Sequence, residues 1–223
     1  VKNSGSLFMD SSSYSGGPIS ISGHSDFNQM VISDAPLTVT DSGIASITDG
    51  IISNTDICIR VTGTVHISGT TIQDCSMYGI WTTSAEQEIT GLNVGAGTPN
   101  GAWIQEGSGN LTDWNSSSYD GSGSVLFLQM VDESLQVHGM DLHTNGGGFA
   151  VRIEQSDGFE LSDSMITGSP GISIENSHLR LLRVDLVNDN SGTGIFVHGV
   201  PSAGTIIEDC DVDGYETALS LEG

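Results

Sequence analysis

The sequence predicts an all-β fold, in which about ten coils of three short strands each form one parallel β-solenoid. First, a three-residue cassette recurs about every 23 positions along the chain. Its first and third residues are apolar and are expected to point inward, and its middle residue is expected to point outward. Second, the apolar residues alternate with the two-residue period of a strand. Third, no window of the sequence sustains the i, i+3, i+4, i+7 pattern of an amphipathic helix.

The first strand of each coil is predicted at the cassette itself. Glycine precedes many cassettes, as at Gly79 and Gly101, where we expect a tight corner that a Cβ atom would obstruct. The predicted first strands are Ile19–Ile21, Leu37–Val39, Ile57–Ile59, Ile80–Thr82, Ala102–Ile104, Leu126–Leu128, Phe149–Val151, Ile172–Ile174, Ile195–Val197 and Ala218–Ser220.

Two further alternating pairs follow in each coil and predict the second and third strands. The second strands begin at Ala45, Val65, Gln87, Gly109, Leu135, Phe159, Leu179 and Thr205. The third strands begin at Leu92, Met140, Ser164, Val184 and Cys210. Each strand is expected to pair with its equivalent in the next coil, so outward residues form columns in which function must be sought.

The repeat resembles a known superfamily. The segments 171–176 and 194–198, each followed by Leu-x-Leu or Ile-x-Asp-Cys runs, are similar to the parallel β-helix repeats of the pectin-lyase-like superfamily over residues 17–223. The resemblance implies a right-handed, single-stranded coil with three sheets. That superfamily includes polysaccharide lyases, hydrolases, tailspikes and adhesins, so it implies a fold and several possible functions. The four motifs of polygalacturonase-like hydrolases are missing, which argues against that activity.

The charge of the chain limits its partners. Five Lys and Arg residues oppose 28 Asp and Glu residues, which gives a net charge of −23. Such a chain repels nucleic acid and anionic membranes, so neither is expected as a partner. No apolar run of 18 residues is present to span a bilayer.

The sequence predicts one domain over residues 1–223, expected to be a segment of a longer protein because neither end offers a cap. Its Gly, Ser, Thr, Asn and Asp content suits an extracellular or cell-surface location, with the periplasm as an alternative. Cys58 and Cys75 could close a disulfide within one coil, and Cys210 falls on an inward position.

An aromatic row is the main candidate site. Trp81, Trp103 and Phe127 are predicted to point outward from successive first strands, with Gln105 and Gln129 in the polar column beside them. An exposed row of this kind suggests a platform for sugar rings. The alternative is that a loop, a neighbouring domain or a second rod covers the row.

Two other columns suggest enzyme chemistry. Arg152, Glu175 and His198 are predicted to be neighbours on successive coils, as an acid/base set for an acidic polysaccharide or as an exposed salt bridge with a nearby histidine. The carboxylates at Asp185, Asp209, Asp211 and Asp213 are candidate ligands for Ca²⁺.

The sequence therefore predicts an elongated scaffold that binds an extracellular glycan or a partner protein through its aromatic row. One alternative is a polysaccharide lyase, with or without calcium, that acts on an acidic polysaccharide. The other is a purely structural spacer or adhesin stalk.

Overall fold

A computed structural model describes residues 1–117, 119–144, 148–188, 191–199 and 204–222. The regular structure in these ranges is all β, and no helix is present there that could cross a membrane. The strands are β1 (Lys2–Asn3), β2 (Ser6–Asp10), β3 (Ser13–Ser15), β4 (Ile19–Ile21), β5 (His24–Asn28), β6 (Val31–Ser33), β7 (Leu37–Val39), β8 (Ile44–Thr48), β9 (Ile51–Val61), β10 (Thr64–Ser68), β11 (Thr71–Thr83), β12 (Glu86–Thr90), β13 (Asn93–Val94), β14 (Asn100–Gln105), β15 (Ser108–Thr112), β16 (Leu126–Gln129), β17 (Leu135–His138), β18 (Asp141–His143), β19 (Val151–Glu154), β20 (Asp157–Thr167), β21 (Ile172–Glu175), β22 (His178–Val187), β23 (Thr193–His198), β24 (Ile206–Glu208), β25 (Asp211–Asp213) and β26 (Thr217–Glu222).

Three parallel ladders run the length of the molecule. The first ladder has the order β1-β4-β7-β9-β11-β14-β16-β19-β21-β23-β26, and the second has the order β2-β5-β8-β10-β12-β15-β17-β20-β22-β24. The third runs from β3 to β25 and includes a single bridging residue, Asn115, between β13 and β18. Each strand pairs with its equivalent one coil later, which confirms a parallel β-solenoid of about ten coils. The right-handed winding of the coil stays a prediction.

The core is a set of inward columns that runs along the solenoid axis. Ile80, Ala102 and Leu126 are register partners on successive coils, and all three are buried. Because each coil covers the apolar side chains of the next, burial is continuous from coil to coil. Trp114 is fully buried too, and its indole Nε1–H donates to the Ile89 carbonyl oxygen at 3.1 Å.

The predicted first strands are wrong in frame at three coils. Leu37 pairs with Ile59 and not with Ile57, and Leu126 pairs with Val151. Ile195 pairs with Leu219. A shift of two residues leaves an alternating pattern unchanged, so periodicity alone cannot exclude the wrong frame at the first two coils.

The frame correction changes which side chains point outward. Cys58 and Ala150 are buried, and Leu219 takes an inward position on the last coil. Arg60 and Arg152 replace Cys58 and Ala150 in the outward column.

The corner between the second and third ladders has the same backbone conformation in every coil. One residue there has a φ angle between 45° and 68°, in the left-handed region that favours Gly, Asn and Asp. These corner residues are Ser11, Gln29, Asp49, Gly69, Gly91, Asp113, Gly139, Asp163, Arg183 and Asp209. The turn is therefore constant although its sequence varies.

A disulfide joins Cys58 and Cys75, which are 17 residues apart in sequence and fully buried. The bond lies beside the irregular pairing of β9 with β11, where the register shifts between Cys75 and Tyr78. The disulfide that the sequence allowed is thus present in the structure.

Candidate functional site

The candidate site lies on the outward face of the first ladder. The middle outward column of that ladder contains Ser20, Thr38, Arg60, Trp81, Trp103, Phe127, Arg152, Ser173, Phe196 and Ser220. Five consecutive members of the column, Arg60, Trp81, Trp103, Phe127 and Arg152, form what we call the arginine-aromatic stack. Parallel pairing of β9, β11, β14, β16 and β19 brings them into line.

The rings of the stack are nearly parallel. The centroids of Trp81 and Trp103 are 5.3 Å apart with an interplanar angle of 3°, and those of Trp103 and Phe127 are 5.5 Å apart at 11°. The guanidinium carbon of Arg60 lies 4.6 Å from the Trp81 ring centroid, and that of Arg152 lies 5.0 Å from the Phe127 centroid. A cation over an aromatic face is attracted by the ring quadrupole, so the arginines close both ends of the stack.

Ring orientation determines what the stack offers to a ligand. Both faces of Trp81, Trp103 and Phe127 are opposed by another ring or a guanidinium, and all three side chains are half-buried. With the faces covered and the indole N–H groups buried, the half-buried rings leave part of their carbon-hydrogen edges to the solvent, and these edges are electropositive. The sequence predicted an exposed aromatic row, with a stacking platform for sugar rings as one interpretation. In the structure the row covers its own ring faces, so no face is open for a sugar ring to stack on.

The two indole nitrogens are enclosed. Nε1 of Trp81 and of Trp103 is buried and has no hydrogen-bond partner among the described residues. The ring of Tyr78 packs beside both indoles at 6.1 and 5.6 Å between centroids, tilted by 42° and 40°. A buried donor without an acceptor costs about 1–3 kcal/mol, so the stack includes a local penalty.

A polar row follows the stack on the same face, two residues further along each strand. Thr83, Gln105, Gln129, Glu154 and Glu175 are successive register partners in it. The Gln129 amide Nε2–H donates to a Glu154 carboxylate oxygen at 3.5 Å. Within the described ranges, the Gln105 side-chain amide has no hydrogen-bond partner. Both glutamines therefore lie beside the aromatic side chains, as the sequence predicted.

The predicted set of Arg152, Glu175 and His198 is only partly assembled. Glu175 and His198 are register partners. Arg152 pairs with Ser173, because the strand that contains Arg152 is shifted by two residues from the predicted register. Arg152 forms an ion pair with Glu154 of its own strand. The predicted column is thus wrong at Arg152, and a catalytic role for the three residues stays a prediction.

The aspartates of the last coils are spread along the third ladder. Asp185 and Asp211 are register partners, whereas Asp213 faces Val187 and Asp209 occupies the corner before the strand. Among the residues that the structure describes, no three His, Cys, Asp or Glu side chains form a group that could hold a metal ion. The predicted calcium ligands are therefore not gathered into a site.

The arginines outside the stack are engaged by carboxylates. Arg180 bonds to Glu160 and Glu208, and Arg183 bonds to Asp163, which lowers the pKa of the Asp163 carboxyl. In the described part of the chain, Arg60 is the one arginine with no carboxylate in an ion pair. Its resolved interaction is with the Trp81 ring. The sequence missed Arg60 as part of the aromatic column because the frame of that coil was wrong.

Comparisons with known proteins add little to this picture. No family model and no curated protein matches the chain. Among solved structures, the plasmid-mediated fluoroquinolone resistance protein QnrB1 is 11% identical, covering 82% of this chain and 90% of that chain, with a TM-score of 0.31. HetL from the cyanobacterium Nostoc sp., a pentapeptide repeat protein involved in regulating heterocyst differentiation, is 10% identical, covering 97% of this chain and 89% of that chain, with a TM-score of 0.27.

Likeness at this level supports no statement about activity. The parallel β-solenoid is established by the strand pairing of the chain itself. Membership of the pectin-lyase-like superfamily stays a prediction, since the two similar structures do not bear on it.

Proposed function

We propose that this chain is an extracellular or cell-surface β-solenoid scaffold whose arginine-aromatic stack binds a glycan. The observation on which the proposal depends is the continuous stack over five consecutive coils, bordered by a polar row on the same face. A strip of this shape suits an elongated ligand that lies along the solenoid.

The chemistry of the strip favours a ligand rich in oxygen. Electropositive ring edges attract hydroxyl and ether oxygens, and the Gln105 amide provides both a donor and an acceptor beside them. Aromatic residues and arginine are also enriched in protein–protein interfaces, so a protein partner is an outcome that the experiment below must separate.

The disulfide supports the proposed location. Disulfides persist in oxidising compartments outside the cytosol, and the Cys58–Cys75 bond is of the buried, structural kind. The lyase alternative has less support, because Arg152 already contacts Glu154 and Phe127 and is not free to bind a substrate carboxylate.

A glycan array with matched variants tests the proposal. Trp103→Ala removes the central ring and is expected to lower the affinity of the best glycan by about tenfold or more. Phe196→Ala is the control, because Phe196 lies in the same column but outside the stack, beside His198. The control is expected to bind as the unmodified chain does. Circular dichroism must show that both variants retain the β fold.

Two results would contradict the proposal. One is binding by Trp103→Ala that equals that of the unmodified chain. The other is the absence of any glycan ligand on the array, which would favour the spacer or a protein partner.

A further inference from the structure

We infer that the glycan is an uncharged, extended chain of equatorially 1→4-linked pyranoses that lies parallel to the solenoid axis. This inference rests on the proposed function and specifies its substrate class. It follows from the spacing, the charge and the hydrogen-bonding groups of the strip.

The spacing of the strip is regular. Ring centroids recur at 5.3 and 5.5 Å, and Gln105 and Gln129 are separated by one coil as register partners. In an extended, equatorially 1→4-linked chain, the axial length of one sugar residue is close to this distance between neighbouring rings. Successive residues of such a chain are turned over relative to each other, so it presents equivalent edges to alternate coils and stays in step with the strip. An α-1→4-linked or a β-1→3-linked glucan coils, so its residues leave the register after one or two steps.

The charge around the strip opposes a polyanion. The row beside the three rings consists of Thr83, Gln105 and Gln129, which are uncharged, and it continues into Glu154 and Glu175. The whole chain has a net charge of −23. Within the strip itself, Arg60 and Arg152 balance these two carboxylates, and Arg152 is already paired with Glu154. The strip therefore offers a polyanion no net attraction against the negative charge of the whole chain, whereas a neutral polymer is not repelled.

The length of the strip sets the size of the ligand. Arg60 and Arg152 are four coils apart in the column, and the strands of a sheet are about 4.8 Å apart. Four steps of one residue each require about five sugar residues to reach from one arginine to the other. Affinity is therefore expected to rise with chain length up to about five residues and then to level off.

Titration calorimetry with hexasaccharides of defined linkage tests the inference. Cellohexaose, xylohexaose and mannohexaose are the extended probes, and maltohexaose and laminarihexaose are the coiling probes of matched size and charge. Hexagalacturonate is the acidic probe. The best extended neutral probe is expected to bind about tenfold more tightly than either coiling probe or the acidic one.

A pair of glutamine variants locates the binding. Gln105→Ala is expected to weaken the best probe by about three- to tenfold, because it removes the free amide of the strip. Gln136→Ala makes the same chemical change on the exposed face of the second ladder and is expected to have no effect.

The outcomes separate this inference from the function on which it rests. Tighter binding of a coiling or acidic probe would overturn the inference and leave glycan binding intact. Equal losses in Gln105→Ala and Gln136→Ala would also overturn it. If no probe binds and the glycan array is negative as well, both proposals fail together.

Discussion

At the scale of single residues, the two indoles of the stack combine a gain and a cost. Each stacked aromatic pair is worth about 0.5–1.5 kcal/mol beyond area burial, and the Arg60 contact adds about 0.5–1 kcal/mol. Against this, Nε1 of Trp81 and Nε1 of Trp103 are buried without acceptors. Phenylalanine would keep the stack and remove that penalty. Stability therefore does not explain why these two positions are tryptophan. The larger ring and the longer edge that it presents on the surface explain the choice better.

Two substitutions of Trp103 test this balance. Trp103→Ala is expected to lower the free energy of unfolding by about 2–3 kcal/mol, because it leaves a gap between Trp81 and Phe127. Trp103→Phe is expected to stay within about 1 kcal/mol of the unmodified chain. Urea unfolding followed by circular dichroism measures both. Destabilisation by Trp103→Phe as large as that by Trp103→Ala would contradict this account of the buried indole N–H.

The sequence predicted the residues of the site unevenly. Trp81, Trp103, Phe127, Gln105 and Gln129 are placed correctly because their coils have the predicted frame. The arginines that close the stack were missed or misplaced because a two-residue shift preserves alternation. The closure of the ring faces also escaped prediction, since a repeat period determines which column a side chain joins and leaves its rotamer open.

At the scale of the structural elements, the corner between the second and third ladders shows how one backbone conformation accepts many sequences. The left-handed φ costs a non-glycine residue about 1–2 kcal/mol, yet Arg183 and Gln29 occupy it as well as glycine. The parallel ladders on both sides hold the backbone in this conformation. Between the first and second ladders, Met130 adopts the same φ region, at 53°.

Two opposite substitutions at corners are expected to have opposite effects. Gly69→Ala is expected to lower the free energy of unfolding by at least about 1 kcal/mol, because φ is 58° and the new Cβ would meet the Asp49 carboxylate oxygen. Met130→Gly is expected to raise it by up to about 1 kcal/mol, because it relieves the strained φ of an exposed residue. Urea unfolding checks both, and the same sign for the two variants would contradict this account.

Most strands were predictable because half-buried strands alternate, and the second and third ladders match that pattern closely. The serines that point into the coil were not predictable from this alternation. The hydroxyl oxygen of buried Ser177 accepts from the Ser156 backbone N–H at 3.0 Å, and that of Ser156 accepts from the Val131 N–H at 3.2 Å. Serine inside a coil satisfies the backbone at a corner. In a sequence so rich in serine, nothing distinguishes these inward residues from exposed ones.

At the scale of the whole molecule, fold and charge oppose each other. Each coil contacts only its neighbours, so stability accumulates along the solenoid as a sum of local interfaces. Repulsion acts over a longer range, because carboxylates outnumber cations by 28 to 5. The repeat period was enough to predict the solenoid. It could not predict how far the carboxylates would be spread, which is why the expected calcium ligands are not a cluster.

Salt is therefore expected to stabilise the chain. Raising sodium chloride from about 10 mM to about 0.5 M shortens the Debye length from about 30 Å to a few Å, which screens repulsion between distant carboxylates. The thermal midpoint is expected to rise by several degrees, as measured by circular dichroism. A midpoint that stays constant or falls with salt would contradict this expectation.

A coil that depends only on the coils next to it can be peeled away from either end under tension. The Cys58–Cys75 bond limits the length of chain that this process releases, since the segment between the two sulfurs is a closed loop that no pull on the termini can straighten. The loop lies where Arg60 begins the strip of rings. Mechanical load along the rod would thus extend this coil less than the others, at the edge of the proposed ligand surface.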